Sequence, residues 1–390
     1  MTSANPATSR DVVTIRREIH AHPELAYAEF RTTDLIVDCL RASGLEPKVL
    51  PTGTGVLCDI GADGPLIGLR ADIDALPIPD LKQVPYRSTV DGICHGCGHD
   101  AHTAILLAAA RELAEAPPAQ GRVRLIFQPA EETLPGGALA VIEAGALGDG
   151  EMQRIFALHC DPRLHTGQVG VRVGAITAAC DQVNLTLTGA GGHTARPHLT
   201  EDLVYAMGQL ITELPGLLSR RVDPRAALSL VWGSAQAGQA PNAIPTSGRL
   251  RGTLRVFDRE TWAASGDLVR QLVEQIAAPS AVRVEINYVP GVPPVVNRPE
   301  AVEMQIAAIV EGLGPKARSE TQQSMGGEDF AWFLDHVPGA LARLGVRACG
   351  QRPFDLHQGT FDIDEAALGV GVRYTVALAH RALVTLSAQA

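Results

Sequence analysis

The run His95-Gly96-Cys97-Gly98-His99-Asp100-Ala101-His102 packs four side chains able to bind or support a metal into eight residues. Cys97 and His99 stand two apart with glycines beside them, so the backbone can fold tightly around a thiolate and an imidazole. Those are the sulfur and nitrogen ligands a zinc-like ion prefers. A catalytic ion gathers ligands from several segments, and the chain offers more of them. Glu131-Glu132 follows the strand-like VRLIF and the turn Gln128-Pro129-Ala130; His159 closes an expected strand in ALHCDP; His357 lies in the loop-like DLHQGTF. Each has a plainer alternative: cysteine is often a small core hydrophobe, histidine an ordinary polar group, and paired acids favourable charges at a helix start. Together, Cys97, His99, Glu132, His159 and His357 make five ligands from four segments, an inventory that suits two divalent ions sharing a water. Adjacent side chains diverge, so one glutamate can bind metal while the other takes a proton from that water.

Further residues fit around this set. Asp72 and Asp74 end the apolar run of GLRADID, where a carboxylate can orient a metal-bound imidazole; the alternative is a solvated turn. Asp100 and His102 are open between ligand, supporting partner and helix-capping group. The glycine-rich turn Gly189–His198 presents His193 just after an expected strand, as a donor to an oxyanion or as a plain loop tip. Asn242 in PNAIP and Arg255 in RGTLRVF can hold a substrate carboxylate, although Arg255 also suits a solvated strand face.

These residues need a sizeable scaffold. At 390 residues, 46% of them hydrophobic, the chain is long for one core, and two domains are expected. No stretch approaches the roughly 20 apolar residues of a membrane span. MTSANPATSRDVV shows no basic patch followed by an apolar run, so the cytoplasm is the expected compartment. Seven dispersed cysteines fit free thiols in a reducing setting rather than a disulfide framework. A net charge of -10 argues against a nucleic-acid partner and for a small-molecule substrate.

Helical spacing of apolar residues from Asp11 to Ser43, broken at Pro23, predicts two helices. Val56–Ile60 and Leu66–Leu69 read as strands joined as a hairpin through Gly61-Ala62-Asp63-Gly64. A helix at His99–Glu115, a strand at Val123–Phe127, a helix near Leu139 and a strand at Ile155–Leu158 continue an α/β alternation, whose ligands gather outside strand ends. From Gln182 to Val289 the order becomes β-α-β-β-α-β, a ferredoxin-like unit. Tyr288–Pro299 reads as the linker out of it. Helices near Ala301–Leu313 and Glu328–Asp335, a strand near Leu341–Leu344 and a final helix from Glu365 complete the chain. The expected division is a discontinuous catalytic domain, 1–180 and 294–390, with an insert at 181–293.

The segments REIHAHPELAYAEFRT, GLRADIDALPI, HGCGHDAHTAILLAAA, LIFQPAEE, GGHTARPH, PNAIP, and MGGEDF followed by LHQGTF resemble the aminoacylase and carboxypeptidase G-like metallohydrolase superfamily. More narrowly they are similar to its amidohydrolase branch, with hippurate hydrolases, N-acyl-amino-acid deacylases and auxin-conjugate hydrolases. The resemblance implies an α/β catalytic domain with two divalent ions and an inserted α+β lid that mediates dimerisation. It implies Cys97, His99, Glu132, His159 and His357 as ligands, Glu131 as general base, and His193 as a lid histidine able to reach a partner subunit's site. The superfamily's usual His-x-Asp is here Asp72-Ile-Asp74; Cys97 compensates for the missing histidine, which points away from peptidases, and Asp74 keeps an orienting role.

The implied reaction is hydrolysis of an N-acyl amino acid to a carboxylic acid and a free amino acid. A dipeptidase or carbamoyl-amino-acid hydrolase on the same centre is the alternative enzyme, and a silent metal-binding or regulatory protein the alternative class. Sulfur and nitrogen ligands favour zinc, nickel or cobalt, while carboxylate and imidazole also accept manganese.

Overall fold

The structure, a computed structural model, describes residues 11–352 and 354–389; the expectation about a leader in the first ten residues lies outside them. The chain opens with α1 (Val12–Ala21), whose N-terminal N–H of Thr14 is capped by the Asp11 carboxylate at 2.7 Å, and α2 (Phe30–Ala42). Then follow β1 (Lys48–Val49), β2 (Val56–Gly61), β3 (Leu66–Asp72), α3 (His99–Glu115), β4 (Arg122–Gln128), α4 (Ala138–Glu143), β5 (Met152–His165), β6 (Val169–Val171) and β7 (Gly174–Ala175). The middle of the chain gives β8 (Cys180–Thr188), β9 (Gly192–His193), α5 (Leu203–Arg221), β10 (Ser229–Ala237), β11 (Ala243–Ile244), β12 (Ser247–Arg255), α6 (Arg259–Ala277) and β13 (Arg283–Val292). It closes with β14 (Val296–Asn297), α7 (Pro299–Leu313), β15 (Arg318–Glu320), α8 (Ala331–Leu334), β16 (Gly339–Arg347) and α9 (Ala366–Ser387).

Two compact units result. The first comprises the described residues up to Gly174, Val296–Gln322 and those from Asp329 onward; the second comprises Ala175–Val295 and Gln323–Glu328. The short stretch Gln323–Glu328, expected with the catalytic domain, clusters with the insert because Ser324 exchanges backbone hydrogen bonds with Ile176 and Ala178 at 2.9 and 3.0 Å. The Arg255 guanidinium donates to the Met325 carbonyl beside it.

In the first unit an eight-stranded sheet has the order β1-β2-β4-β3-β5-β16-β6-β15. Its centre, β4-β3-β5-β16, is parallel. Every residue of β3 is buried, as a strand covered on both faces of a parallel sheet must be, hence the near-continuous apolar run that delivers Asp72. Ile105 and Leu113 of α3, Phe127 of β4, Phe156 of β5 and Tyr374 of α9 share the core. Deletion of any one such side chain to alanine costs roughly 2–5 kcal/mol.

The expected hairpin between β2 and β3 does not form, because β4 lies between them, antiparallel to β2 and parallel to β3. The connecting turn closes on the approach to β4 instead: Ala62 N–H donates to Gly121 O and Gly121 N–H to Asp63 O, both at 3.2 Å. Gly61, at φ 109°, passes so near that a Cβ there would stand 2.3 Å from Gly121 O. Strand β5 also runs past the expected end at Leu158, to His165, because β16 keeps pairing with it as far as Gly345↔Asp161 and beyond. Its pairing with β3 stops at Arg70↔Ala157, so His159 still emerges at the end of the parallel β3 neighbour.

The second unit is an antiparallel four-stranded sheet of order β10-β12-β8-β13 with α5 and α6 packed on it. Connection and order match the ferredoxin-like β-α-β-β-α-β expectation. Val183, Leu185 and Leu187 of β8 point into a core with Leu210, Leu214 and Leu272, and the alternation along β8 follows from the two-residue strand period. The expected linker is partly strand, since β13 continues through Val292. No helix among the described residues is long and apolar enough to cross a membrane.

Candidate metal centre

The glycine before His99 explains how the centre is assembled. Gly98 sits at φ 92° as the residue preceding α3, and a Cβ on it would lie 3.0 Å from Cys160 Sγ. A left-handed, close-packed position of this kind requires glycine. It turns the chain so that Cys97 and His99 face β5, whose His159 Nε2 lies 3.5 Å from Cys97 Sγ. From the loop after β4, Glu132 Oε1 lies 3.8 Å and Glu131 Oε2 3.9 Å from His99 Nε2. From the loop before α9, His357 Nε2 lies 3.3 Å from Glu132 Oε1; His357 holds φ 61° and is pinned by its N–H to Gly96 O at 2.8 Å.

The donors fall into overlapping groups, among them Cys97 with His99 and His159, Cys97 with Glu132 and His357, and His99 with Glu131 and Glu132, the ligand atoms of each within 4.8 Å of one another. All five residues expected as ligands are thus brought together, with Cys97 common to the first two groups and Glu131 alongside. Two donors at 2.0–2.3 Å from one ion with tetrahedral angles stand about 3.3–3.6 Å apart, which the 3.5 and 3.3 Å separations match. His99 Nε2 and Glu132 Oε1 are buried without a hydrogen-bond partner, an arrangement that is costly unless something binds there. Burial and the charge of Glu132 push the Cys97 thiol well up, so a thiolate at this position needs a cation beside it. The donor set fits divalent metal.

The sequence profile of Peptidase family M20/M25/M40 matches residues 68–381. The chain belongs to that family. A Rhodococcus jostii protein, provisionally named glutamate–cysteine ligase 2-3, is 50% identical over 97% of this chain, which spans 47% of that protein's length. The N-acetyl-L-cysteine deacetylase of Bacillus subtilis is 38% identical over 92% of this chain and 85% of its own. A solved Bacillus subtilis structure, described as a dinuclear metal binding peptidase from M20 family, is 34% identical and superposes with a TM-score of 0.83, covering 96% of this chain and 98% of that one. The family resemblance expected from the motifs is therefore correct, and the chain is a hydrolase of amide bonds.

In this M20 chain the remaining polar residues of the motifs hold the donors in place. His99 Nδ1–H points at Asp74, 2.9 Å from its carbonyl and 3.3 Å from Oδ1, while Oδ2 of the same carboxylate accepts the Glu132 N–H at 2.9 Å. One side chain thus fixes the tautomer of His99 and the loop of Glu132. His159 Nδ1–H donates to Cys160 O at 2.8 Å, leaving Nε2 toward Cys97. Asp72 and His102 are saturated: His102 Nδ1 meets Asp72 Oδ1 at 2.6 Å, His102 Nε2 accepts the Cys160 N–H at 2.8 Å, and Arg70 donates to Asp72 Oδ2 at 2.6 Å. They brace the strand beneath His159, and with His99, whose Nε2 is 3.8 Å from Asp72 Oδ2, they form a further group of donors within 4.8 Å of one another.

Asp100 turns away from the centre. Its carboxylate takes Arg16 Nε and His20 Nδ1, each at 2.7 Å, which ties α1 to α3. Asp100→Ala removes that anion while Arg16 keeps Asp362 at 2.8 Å and Glu365 at 3.4 Å, so the cost falls below the roughly 3–5 kcal/mol of a buried charge left wholly unpaired. A thermal melt is expected to show that loss with bound metal unchanged per folded chain; a variant that melts as the parent does while losing metal would contradict this assignment.

Sequence reasoning missed Arg70, Gln128, Asp329 and Glu29. Arg70 and Asp72 share a strand face two residues apart, a signal within reach. Asp329, which accepts from Arg70 at 2.8 Å and Gln128 at 2.7 Å, lies too far along the chain to be paired by pattern.

In the second unit His193 and Asn242 come together. His193 pairs with Ala243 on β11, and Thr194 N–H reaches Asn242 O at 3.3 Å. His193 Nδ1 accepts the Ala195 N–H at 3.0 Å, which leaves Nε2 as the exposed N–H donor. Arg255 is on β12 with its guanidinium on Met325 O.

Proposed function

We propose that the chain hydrolyses N-acyl amino acids, with Cys97, His99, Glu132, His159 and His357 holding two divalent ions and Glu131 as general base. The carrying observation is the glutamate pair: both carboxylates approach His99 Nε2, at 3.8 and 3.9 Å, and Glu132 also gathers with Cys97 and His357 within 4.8 Å. A divalent ion at such donors lowers the pKa of bound water and polarises the amide carbonyl. Glu131 accepts a proton from the attacking water as its oxygen joins the acyl carbon. The same carboxyl then delivers that proton to the amide nitrogen as the C–N bond breaks, giving a carboxylic acid and an amine. Asp74 keeps His99 and the Glu132 loop aligned throughout.

His193 donates to the oxyanion through Nε2–H, a role its exposed donor supports, and Asn242 and Arg255 hold the substrate carboxylate through charge-assisted bonds, a reading that rests on their residue types and place in the sequence. A dimer through the second unit and a cytoplasmic setting belong to the same proposal. Three relatives carry cysteine in their names, and a deacylase acting on N-acetyl-cysteine releases the free amino acid that a glutamate–cysteine ligase takes. N-acyl cysteine therefore heads the substrate list.

The test is anaerobic reconstitution with zinc, manganese, nickel or cobalt, followed by acetyl, benzoyl, carbamoyl and aminoacyl derivatives of a set of amino acids including cysteine. Free amino acid is expected from the acyl substrates with at least one ion. Cleavage confined to dipeptides or carbamoyl derivatives would favour the alternative enzymes, and no cleavage at all the silent metal-binding protein.

A further inference from the structure

We propose that Glu29 is a positioning residue for the catalytic carboxylates, acting through the backbone N–H of Ala130. Glu29 immediately precedes α2 and is fully buried. Its Oε1 accepts the Ala130 N–H at 2.8 Å across 101 residues of sequence. Ala130 itself is fully buried and sits at φ 59°, a left-handed backbone that a residue with a Cβ adopts only when its surroundings hold it there.

The grip continues on either side. Ala130 O accepts the Gly137 N–H at 2.8 Å, and Glu132 N–H is held by Asp74 at 2.9 Å. The turn out of β4 is therefore fixed at its N–H by Glu29, at its carbonyl by Gly137 and beyond it by Asp74, and between these holds it presents Glu131. Pro129 precedes Ala130 and brings no N–H of its own, so the Ala130 N–H that Glu29 holds is the backbone donor immediately ahead of the glutamate pair. Burial, with the charge of Asp74 adding to it, pushes the Glu29 carboxyl up to about 7. A position required for packing alone is served by an apolar side chain at no such cost.

The inference rests on Glu131 and Glu132 being the working carboxylates, and the test separates the two claims. Glu29→Gln keeps an oxygen acceptor at the same reach. Glu29→Asp keeps the charge but withdraws the oxygen by one methylene. Zinc affinity is read by competition with a chromophoric chelator, and kcat and KM on the best acyl substrate. Glu29→Asp is expected to weaken zinc binding about 10- to 100-fold and to lower kcat by about 100-fold with KM little changed, while Glu29→Gln stays close to the parent in both. Parental behaviour of Glu29→Asp, or a defect in Glu29→Gln as deep as in Glu29→Asp, overturns the proposal. A parent protein that binds zinc but hydrolyses nothing counts against the proposed function, and the zinc affinities then decide the role of Glu29 alone.

Discussion

Glu131→Gln is expected to retain the parental metal content and to lose kcat by roughly two to four orders of magnitude, the usual contribution of a positioned general base. The amide is isosteric with the carboxylate, so the turn held through Ala130 and Glu132 has no reason to move. What disappears is the ability to accept and return a proton. Because only the proton-transfer step is affected, KM should change little. Elemental analysis alongside steady-state kinetics checks both halves, and substantial retained turnover would remove Glu131 from the mechanism.

Cys97→Ala is expected to be deeper still, since it strips a donor common to two of the ligand groups. Loss even of an outer partner of a ligand lowers metal affinity by about 10- to 100-fold, and removal of a ligand shared by two sites should exceed that at each. Turnover falls with occupancy, while the fold is little disturbed, because the cavity left by one thiol is small. Metal binding by isothermal titration calorimetry and a melt of the apo-protein separate these effects. A Cys97→Ala protein that still binds two ions per chain with parental affinity would show that the thiolate is no ligand. With Cys97 as a ligand, oxidation of its sulfur is expected to release metal, reversibly only at the first oxidised stages.

The elements that carry the chemistry were legible because each announces itself locally. The α3 boundaries follow from Gly98 and the helical run after it, and the β-α-β-β-α-β order from periodicities of two and 3.6. Pairing between distant segments was not legible. The strand-like runs flanking Gly61-Gly64 carry every sign of a hairpin, yet β4 separates them, and nothing local distinguishes a turn that closes on itself from one that closes on Gly121. Strand β5 outran its apolar stretch for the same reason, through pairing with β16.

The site divides along the same line. Its donors were readable as residue types, and the structure brings Cys97, His99, Glu132, His159 and His357 together as an inventory of types anticipates. Of the residues that aim them, Asp74 was legible as an orienting carboxylate from its place at a strand end, while Asp72 and Asp100 were not readable. Asp72 looks like a ligand or a turn in sequence, and only its bonds to His102 and Arg70 show a brace. Asp100 looks like part of the metal motif, and only Arg16 and His20, 84 and 80 residues away, reveal that it fastens α1. Histidine and aspartate serve both tasks with the same atoms, so their roles are set by neighbours that sequence spacing does not bring into view.

The most direct measurement is an anaerobic titration of the metal-free protein with zinc or manganese while release of free amino acid from an N-acetyl amino acid is followed. No turnover is expected without metal, with a rise that breaks at two equivalents per chain. Saturation at one equivalent would contradict the paired centre, and full turnover in the metal-free protein would contradict the mechanism itself.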